Sequence, residues 1–128
     1  MRVLLDTHIL IWVLAEPHKL SQPVRSLIAS RTTNVLFSTV SIWEIGIKAA
    51  LLKPEFSWNP GLILAEAKAI GFVECMISSN AAIAAAGLPK HHGDPFDRLL
   101  IGQALEEPAR LITADKILAL YSELVDVM

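Results

Sequence analysis

Five aspartates occur in this 128-residue sequence, and four of them stand where short apolar runs end or helices would begin. Asp6 closes Arg2-Val3-Leu4-Leu5, and Asp94 and Asp97 follow the loop Lys90-His91-His92-Gly93. Asp115 comes after Leu111-Ile112-Thr113, while Asp126 lies elsewhere. Glu44 adds a further carboxylate within Ser41-Ile42-Trp43-Glu44-Ile45-Gly46-Ile47-Lys48, where Ser41, Glu44 and Lys48 share one narrow polar stripe. Two unit charges 4 Å apart repel by about 1 kcal/mol in water and about 4 kcal/mol at an effective dielectric near 20. Carboxylates gathered in one place therefore need protons or a hard cation. Mg²⁺ and Mn²⁺ prefer oxygen ligands, and Mg²⁺ keeps several waters when one or two carboxylates hold it. Such a metal activates water and neutralises a phosphoryl oxygen. Acids at strand ends, without a Cys or His cage, point to metal-assisted phosphodiester chemistry.

Each acid also has a plainer explanation. Asp94-Pro95-Phe96-Asp97 fits the cap, first and third positions of a helix, where carboxylates stabilise by about 0.3–1 kcal/mol through the helix dipole. Asp115 fits a cap equally well. Glu44 and Lys48 are spaced as an i,i+4 ion pair in the favourable order, worth about 0.2–0.5 kcal/mol. Asp97 is different. At about 100° per residue, Leu100, Ile101, Ala104 and Leu105 bracket its azimuth, so it projects from the centre of an apolar stripe. A carboxylate facing inward costs several kcal/mol unless something satisfies it.

The elements that would position these acids follow from periodicity and punctuation. Arg2–Asp6, Asn34–Phe37, Phe72–Ile77, Arg110–Thr113 and Leu124–Val127 read as short strands. Helices are expected over Thr7–Ala15, from the cap Ser21 to Ile28, over Ser41–Leu52 and from Asn59-Pro60 to the stop at Gly71. Further helices are expected before Gly87-Leu88-Pro89, from Asp94-Pro95 to Glu107, and over Asp115–Tyr121. Apolar strands alternating with helices indicate an α/β fold, a three-layer α/β/α sandwich around a parallel sheet. Ligands of such sheets sit at the carboxyl ends of the strands.

Composition narrows the possibilities. A chain of 128 residues suits one domain. Cys75, the single cysteine, precludes an internal disulfide framework and points to a reducing compartment, the cytoplasm. No uncharged apolar run approaches the roughly 18 residues of a membrane helix, and Asp6 and His8 before Ile9–Ala15 argue against a secretory signal. Hydrophobic residues make up 53 % and charged ones 19 %, the latter against about 25 % on average. This excess suggests apolar surface for a second subunit or another protein. The net charge of −2 excludes a strongly basic nucleic-acid binder.

Taken together, Leu4-Leu5-Asp6-Thr7-His8, Ser41-Ile42-Trp43-Glu44-Ile45 with Lys48, Asp94-Pro95-Phe96-Asp97-Arg98-Leu99-Leu100-Ile101 and Ile112-Thr113-Ala114-Asp115 resemble a PIN-domain protein. More narrowly, the chain is similar to the VapC-type ribonuclease toxins of bacterial toxin–antitoxin pairs. The resemblance spans almost the whole chain and implies one PIN domain over residues 1–128. It further implies an endoribonuclease dependent on Mg²⁺ or Mn²⁺, forming a homodimer and silenced by a cognate antitoxin. Position by position, Asp6, Glu44 and Asp97 match the family's acidic triad, and Asp115 matches its more variable fourth acid. Asp94 is expected to orient Asp97 or to act through water. Thr7 and Thr113 are the hydroxyls expected beside the metal, with Ser41, Lys48 and Arg98 in support.

RNA affinity rests largely on phosphate electrostatics, so a slightly acidic chain needs local help. Metal charge supplies part of it, and Lys48, Lys90, His91, His92, Arg98 and Arg110 are candidates for the rest. His91 and His92 are adjacent rather than spaced for zinc. His8 is expected as a helix residue rather than a base, and Cys75 as a small core hydrophobe. Trp12, Trp43 and Trp58 are expected as core or interface anchors ahead of base-stacking platforms. Neither a Walker pattern nor a Gly-x-Ser-x-Gly elbow is present. Two alternatives stay open: a catalytically silent domain binding RNA or protein, and a small α/β phosphohydrolase or phosphoacceptor domain.

Overall fold

A computed structural model of the chain describes residues 1–91 and 93–128. Five parallel strands, β1 (Arg2–Leu5), β2 (Asn34–Ser38), β3 (Val73–Cys75), β4 (Arg110–Thr113) and β5 (Val125–Val127), form one sheet in the order β3-β2-β1-β4-β5. The chain steps outward from β1 to β3, then returns to the other side of β1 for β4. The switch point of the sheet therefore lies between β1 and β4.

Alternation along the strands builds two cores. Val3, Leu5, Val35, Phe37 and Ile112 pack with Ile9, Leu10 and Ile11 of α1 (Thr7–Ala15), Val24 of α2 (Gln22–Ala29) and Ile63 of α4 (Pro60–Ala69). Leu4, Leu36 and Leu111 point the opposite way, to Leu100, Ile101 and Ala104 of α6 (Pro95–Glu106). Strands buried on both faces need apolar residues throughout, which is why they read as unbroken hydrophobic runs. Helix α3 (Thr39–Ala50) contributes Ile45 to the first core and Val40 to the second. Helix α5 (Ser79–Ala86) reaches the second core's flank by lying against α6. A Cβ built at Gly102 would stand 2.4 Å from the Ala81 carbonyl oxygen, so this glycine sets how closely α5 approaches α6.

The expected α/β/α sandwich is thus the observed fold, with local corrections. Helix α3 begins two residues before Ser41, because the Ser38 hydroxyl accepts from the Val40 amide at 2.9 Å and starts the turn there. The third strand shrinks to three residues at the sheet edge, leaving Val73 and Met76 exposed where no further strand covers them. Leu105 is exposed, so the buried stripe of α6 runs through Leu100, Ile101 and Ala104. Trp43 is 58 % exposed and rests edge-on against Phe96, outside either core. The segment Lys116–Leu120 is a 3-10 helix, and two 3-10 turns, Pro17–Lys19 and Pro54–Phe56, had no clear signal in the pattern. Among the described residues, no helix is long and apolar enough to cross a membrane.

Candidate active site

Strand β1 delivers Asp6 to the switch point, and the chain turns into α1 directly after it. Asp6 caps that helix: its Oδ1 accepts from the His8 amide at 2.9 Å and the Ile9 amide at 3.4 Å. Its Oδ2 accepts a short hydrogen bond from Thr113 Oγ1 at the end of β4. Asp6 is buried, and desolvation raises its pKa against the lowering pull of Thr113, His8 and the helix amides.

Glu44 arrives from α3 and is also buried. Thr7 Oγ1 lies 2.5 Å from Glu44 Oε1 and 2.9 Å from Ser41 Oγ, so its single proton faces a charged and a neutral acceptor. Lys48, one turn on, reaches Glu44 Oε2 at 2.5 Å and stands 3.8 Å from Asp94 Oδ2. Burial alone would pull the Lys48 pKa down, but the hydrogen bond and charge of Glu44, with Asp94 and Asp97, raise it. Its ammonium also lies 4.7 Å from the Phe56 ring centroid and 5.5 Å from that of Phe96. The i,i+4 ion pair expected from the sequence therefore exists, and it faces the cleft.

Helix α6 carries the remaining pair. Asp94 caps it, accepting from the Phe96 amide at 2.8 Å and the Asp97 amide at 3.4 Å. Asp97 projects from the first turn, half buried, and its pKa is pushed up to about 8. Desolvation is the largest cause, followed by the charges of Asp94, Asp6, Glu44 and Asp115. Asp115 caps the last 3-10 helix through the Ile117 amide at 3.0 Å. Capping and lining are thus not alternatives for Asp6, Asp94 and Asp115, since each caps a helix and each borders the cleft.

One cleft of ≈ 400 Å³ is lined by Asp6, Glu44, Asp94, Asp97 and Asp115 together with Thr7 and Lys48. The amino ends of α1 and α6 open onto it through their caps, and their dipoles offset part of the carboxylate repulsion. The five carboxylates and the Thr7 hydroxyl offer hard oxygen donors, which Mg²⁺ and Mn²⁺ prefer. Among the described residues, however, no three Asp, Glu, His or Cys side chains stand close enough to cage an ion alone. The set fits a cation that retains much of its water, held by one or two carboxylates at a time.

A PIN domain family model matches residues 3–124, a span that contains all five of these carboxylates. The chain belongs to the PIN-domain family. It is 32 % identical over 120 residues to Ribonuclease VapC22 of Mycobacterium tuberculosis (strain ATCC 25618 / H37Rv), covering 89 % of this chain and 87 % of that protein. In fold it is similar to the crystal structure of VapBC2 from Rickettsia felis bound to a DNA fragment from their promoter. That likeness has a TM-score of 0.70 at 13 % identity, covering 100 % of this chain and 98 % of that one.

Not every basic candidate of this PIN domain reaches the cleft. Arg98 points to the far side of α6, where its guanidinium donates to the carbonyls of Ala85, Leu88 and Pro89 at 2.9–3.0 Å. It ties the end of α5 to α6 and does not line the cleft, which corrects its place among the supporting residues. Arg110 is likewise committed: it grips both oxygens of Asp126 at 2.5 Å across the β4–β5 pair. That fork also accounts for the one aspartate outside the cleft. Lys90 and His91 line a separate hollow with Arg98, and His92 lies outside the described residues. Cys75 is buried and its Sγ donates to Glu107 at 3.1 Å; burial first, then Glu107, pushes the thiol up to about 12.

Sequence reasoning underrated Trp12 and His8, which both line the acidic cleft. The signal was available: His8 and Trp12 stand one turn apart on the helix that Asp6 caps, so they share the face nearest that acid.

Proposed function

We propose that this protein is an endoribonuclease that cleaves RNA phosphodiester bonds with the help of Mg²⁺ or Mn²⁺. The convergence of five carboxylates from four separate sequence blocks on one cleft carries this proposal. The similarity to a protein named as a ribonuclease supports the substrate class.

One or two of Asp6, Glu44, Asp97 and Asp115 at a time would hold the hydrated cation, the others reaching it through its waters, and Asp94 would orient Asp97. When bound, the divalent ion supplies an activated water and charge neutralisation at a phosphoryl oxygen. The protein's own groups do the rest. Thr113 fixes one oxygen of Asp6 and the α1 amides fix the other, so this carboxylate cannot turn away. Thr7 and Lys48 restrain Glu44 from opposite oxygens, and Ser41 backs Thr7. Burial and the neighbouring carboxylates push the Asp97 pKa up to about 8 in the metal-free cleft, and a bound cation would favour its ionised form. Lys48, at the border of the cleft, offers the RNA backbone a cation in an otherwise acidic surround.

The chain is further proposed to form one domain over residues 1–128, to work in the cytoplasm and to be held by a protein antitoxin. The last proposal draws on the VapBC2 structure, whose name joins two partners. A homodimer is proposed from the exposed row of Trp43 and Ile47 on α3 and Leu51 at its C-cap, spaced by four. Light scattering at tens of micromolar tests it, and a monomer there would remove it.

The nuclease proposal is tested by incubating the purified protein with a mixed cellular RNA pool, in Mg²⁺ or EDTA, and mapping the ends. Discrete metal-dependent cuts that vanish in Asp6→Asn are expected. Free phosphate from small phosphoesters without RNA cuts would favour a phosphohydrolase instead. Tight RNA binding without cutting would favour a silent binder.

A further inference from the structure

A second hollow, of ≈ 570 Å³, opens beside the acidic cleft. His8 and Trp12 line both, so the two spaces adjoin. Glu16 and Lys19 border the hollow from the end of α1 and the turn after it, and Glu55 and Trp58 border it from the segment preceding α4. Trp12 and Trp58 are half buried: they pack against the core beneath and turn the rest of their surface to the hollow. His8 packs edge-on against Phe56 at 4.9 Å and lies 6.0 Å from the Trp12 ring. Lys19 Nζ stands 5.8 Å from the Trp12 centroid and 3.0 Å from Glu16.

The cleft and the hollow thus differ in chemistry. One presents carboxylates and a lysine suited to a metal and a phosphate. The other presents aromatic surface with carboxylates and a cation at its rim. A single RNA strand carries the same two features side by side, an anionic phosphodiester and a flat base. Unstacked bases settle on aromatic side chains, and carboxylates accept hydrogen bonds from the amino groups of bases.

We infer that the hollow is a base-binding subsite, taking the nucleobase next to the phosphodiester in the cleft, with Trp12 and Trp58 as stacking surfaces and Glu55 accepting from an exocyclic amino group. This inference rests on the endoribonuclease proposal and adds a source of sequence preference to it. Uracil has no exocyclic amino group, so it is the base this subsite disfavours. An aromatic hollow would also suit a protein side chain, but its position beside the cleft, with His8 and Trp12 bordering both, favours a base attached to the phosphate there.

The test compares cutting of an RNA pool by the wild type, Trp58→Leu, Trp58→Phe and Glu55→Gln, with KM and kcat measured on one oligonucleotide containing a mapped site. Trp58→Leu is expected to raise KM at least about fivefold, the lower end of what one base–aromatic stack contributes. The effect should appear in KM rather than kcat, and Trp58→Phe should restore most of it. Glu55→Gln, on an exposed residue, should keep the melting temperature and weaken the base preference at one position beside the cut. Unchanged KM in a folded Trp58→Leu, with unchanged cut positions in Glu55→Gln, would overturn the subsite and spare the nuclease; a hollow that serves a protein segment gives this result. Should Trp58→Leu not fold, the cut positions of Glu55→Gln decide alone. A wild type that cuts no RNA in Mg²⁺ or Mn²⁺ would overturn the nuclease proposal, and this inference with it.

Discussion

Thr113 donates its hydroxyl proton to Asp6 across the carboxyl ends of β4 and β1, joining residues 107 positions apart at the switch point of the sheet. Both side chains are buried, Thr113 completely, so the Thr113 hydroxyl is shielded from bulk solvent. Thr113→Val keeps the shape and removes both this donor and the acceptor of the Asp115 amide, 3.0 Å away. Leaving a buried acceptor unpaired costs about 1–3 kcal/mol. Urea unfolding should show that loss, and RNA cutting should fall because one oxygen of Asp6 is no longer fixed. Equal stability and equal cutting in the variant would show that the bond matters to neither.

The Asp97 carboxyl predicts how the metal-free protein responds to pH. Its folded pKa, about 8, lies above the ordinary value of 3.8. Between these values the folded state keeps a proton that the unfolded chain has lost. Stability therefore falls as pH rises, with the contribution complete below 3.8 and gone above about 8. Urea midpoints measured in EDTA across that window should decline for the wild type, and Asp97→Asn should flatten the slope. A midpoint that climbs through the window would contradict the electrostatic account of the cleft.

Lys48 is the cation that the metal-free cleft already contains. Lys48→Met removes a charge-assisted hydrogen bond to a buried carboxylate, worth about 1.5–3 kcal/mol. The melting temperature in EDTA should drop accordingly, and millimolar Mn²⁺ should recover part of the drop by replacing the lost positive charge. A variant as stable as the wild type in EDTA would mean that Lys48 does not balance the acids.

Gly102 fixes the spacing of α5 against α6. A Cβ there would meet backbone at 2.4 Å, which cannot yield as a side-chain tip does. Gly102→Ala should destabilise by about 1–3 kcal/mol, the usual range for overpacking. A melting temperature within error of the wild type would show that α5 shifts freely.

Much of this arrangement was legible in the amino-acid sequence, for physical reasons that differ by element. Helix α1 and strand β4 have the expected bounds, because Asp6 caps one and the Pro108 and Ala114 flanks limit the other. The acids were legible because carboxylates at strand ends and on an apolar helix face stand out against their surroundings. Arg98 was misplaced because one-dimensional spacing put it beside Asp97, whereas successive helix residues point about 100° apart and Arg98 faces α5. Trp12 and Trp58 were read as anchors, and they are half buried against the core as that reading requires. Their second role, as walls of a hollow, depends on the 3-10 turn Pro54–Phe56, whose local sequence carries no periodicity to announce it.

The central claim is that carboxylates distant in sequence share one divalent cation, and Mn²⁺-dependent melting tests it most directly. A ligand that binds only the folded state stabilises by about 2.7 kcal/mol at one hundred times its Kd. The wild type should gain stability with rising Mn²⁺ and release protons as it does so. Asp97→Asn should be about as stable as the wild type in EDTA below about pH 8, where the wild-type carboxyl already carries a proton, and should lose most of the Mn²⁺ increment. A wild-type melting temperature that stays flat through millimolar Mn²⁺, or an Asp97→Asn protein that gains as much as the wild type, would contradict the claim.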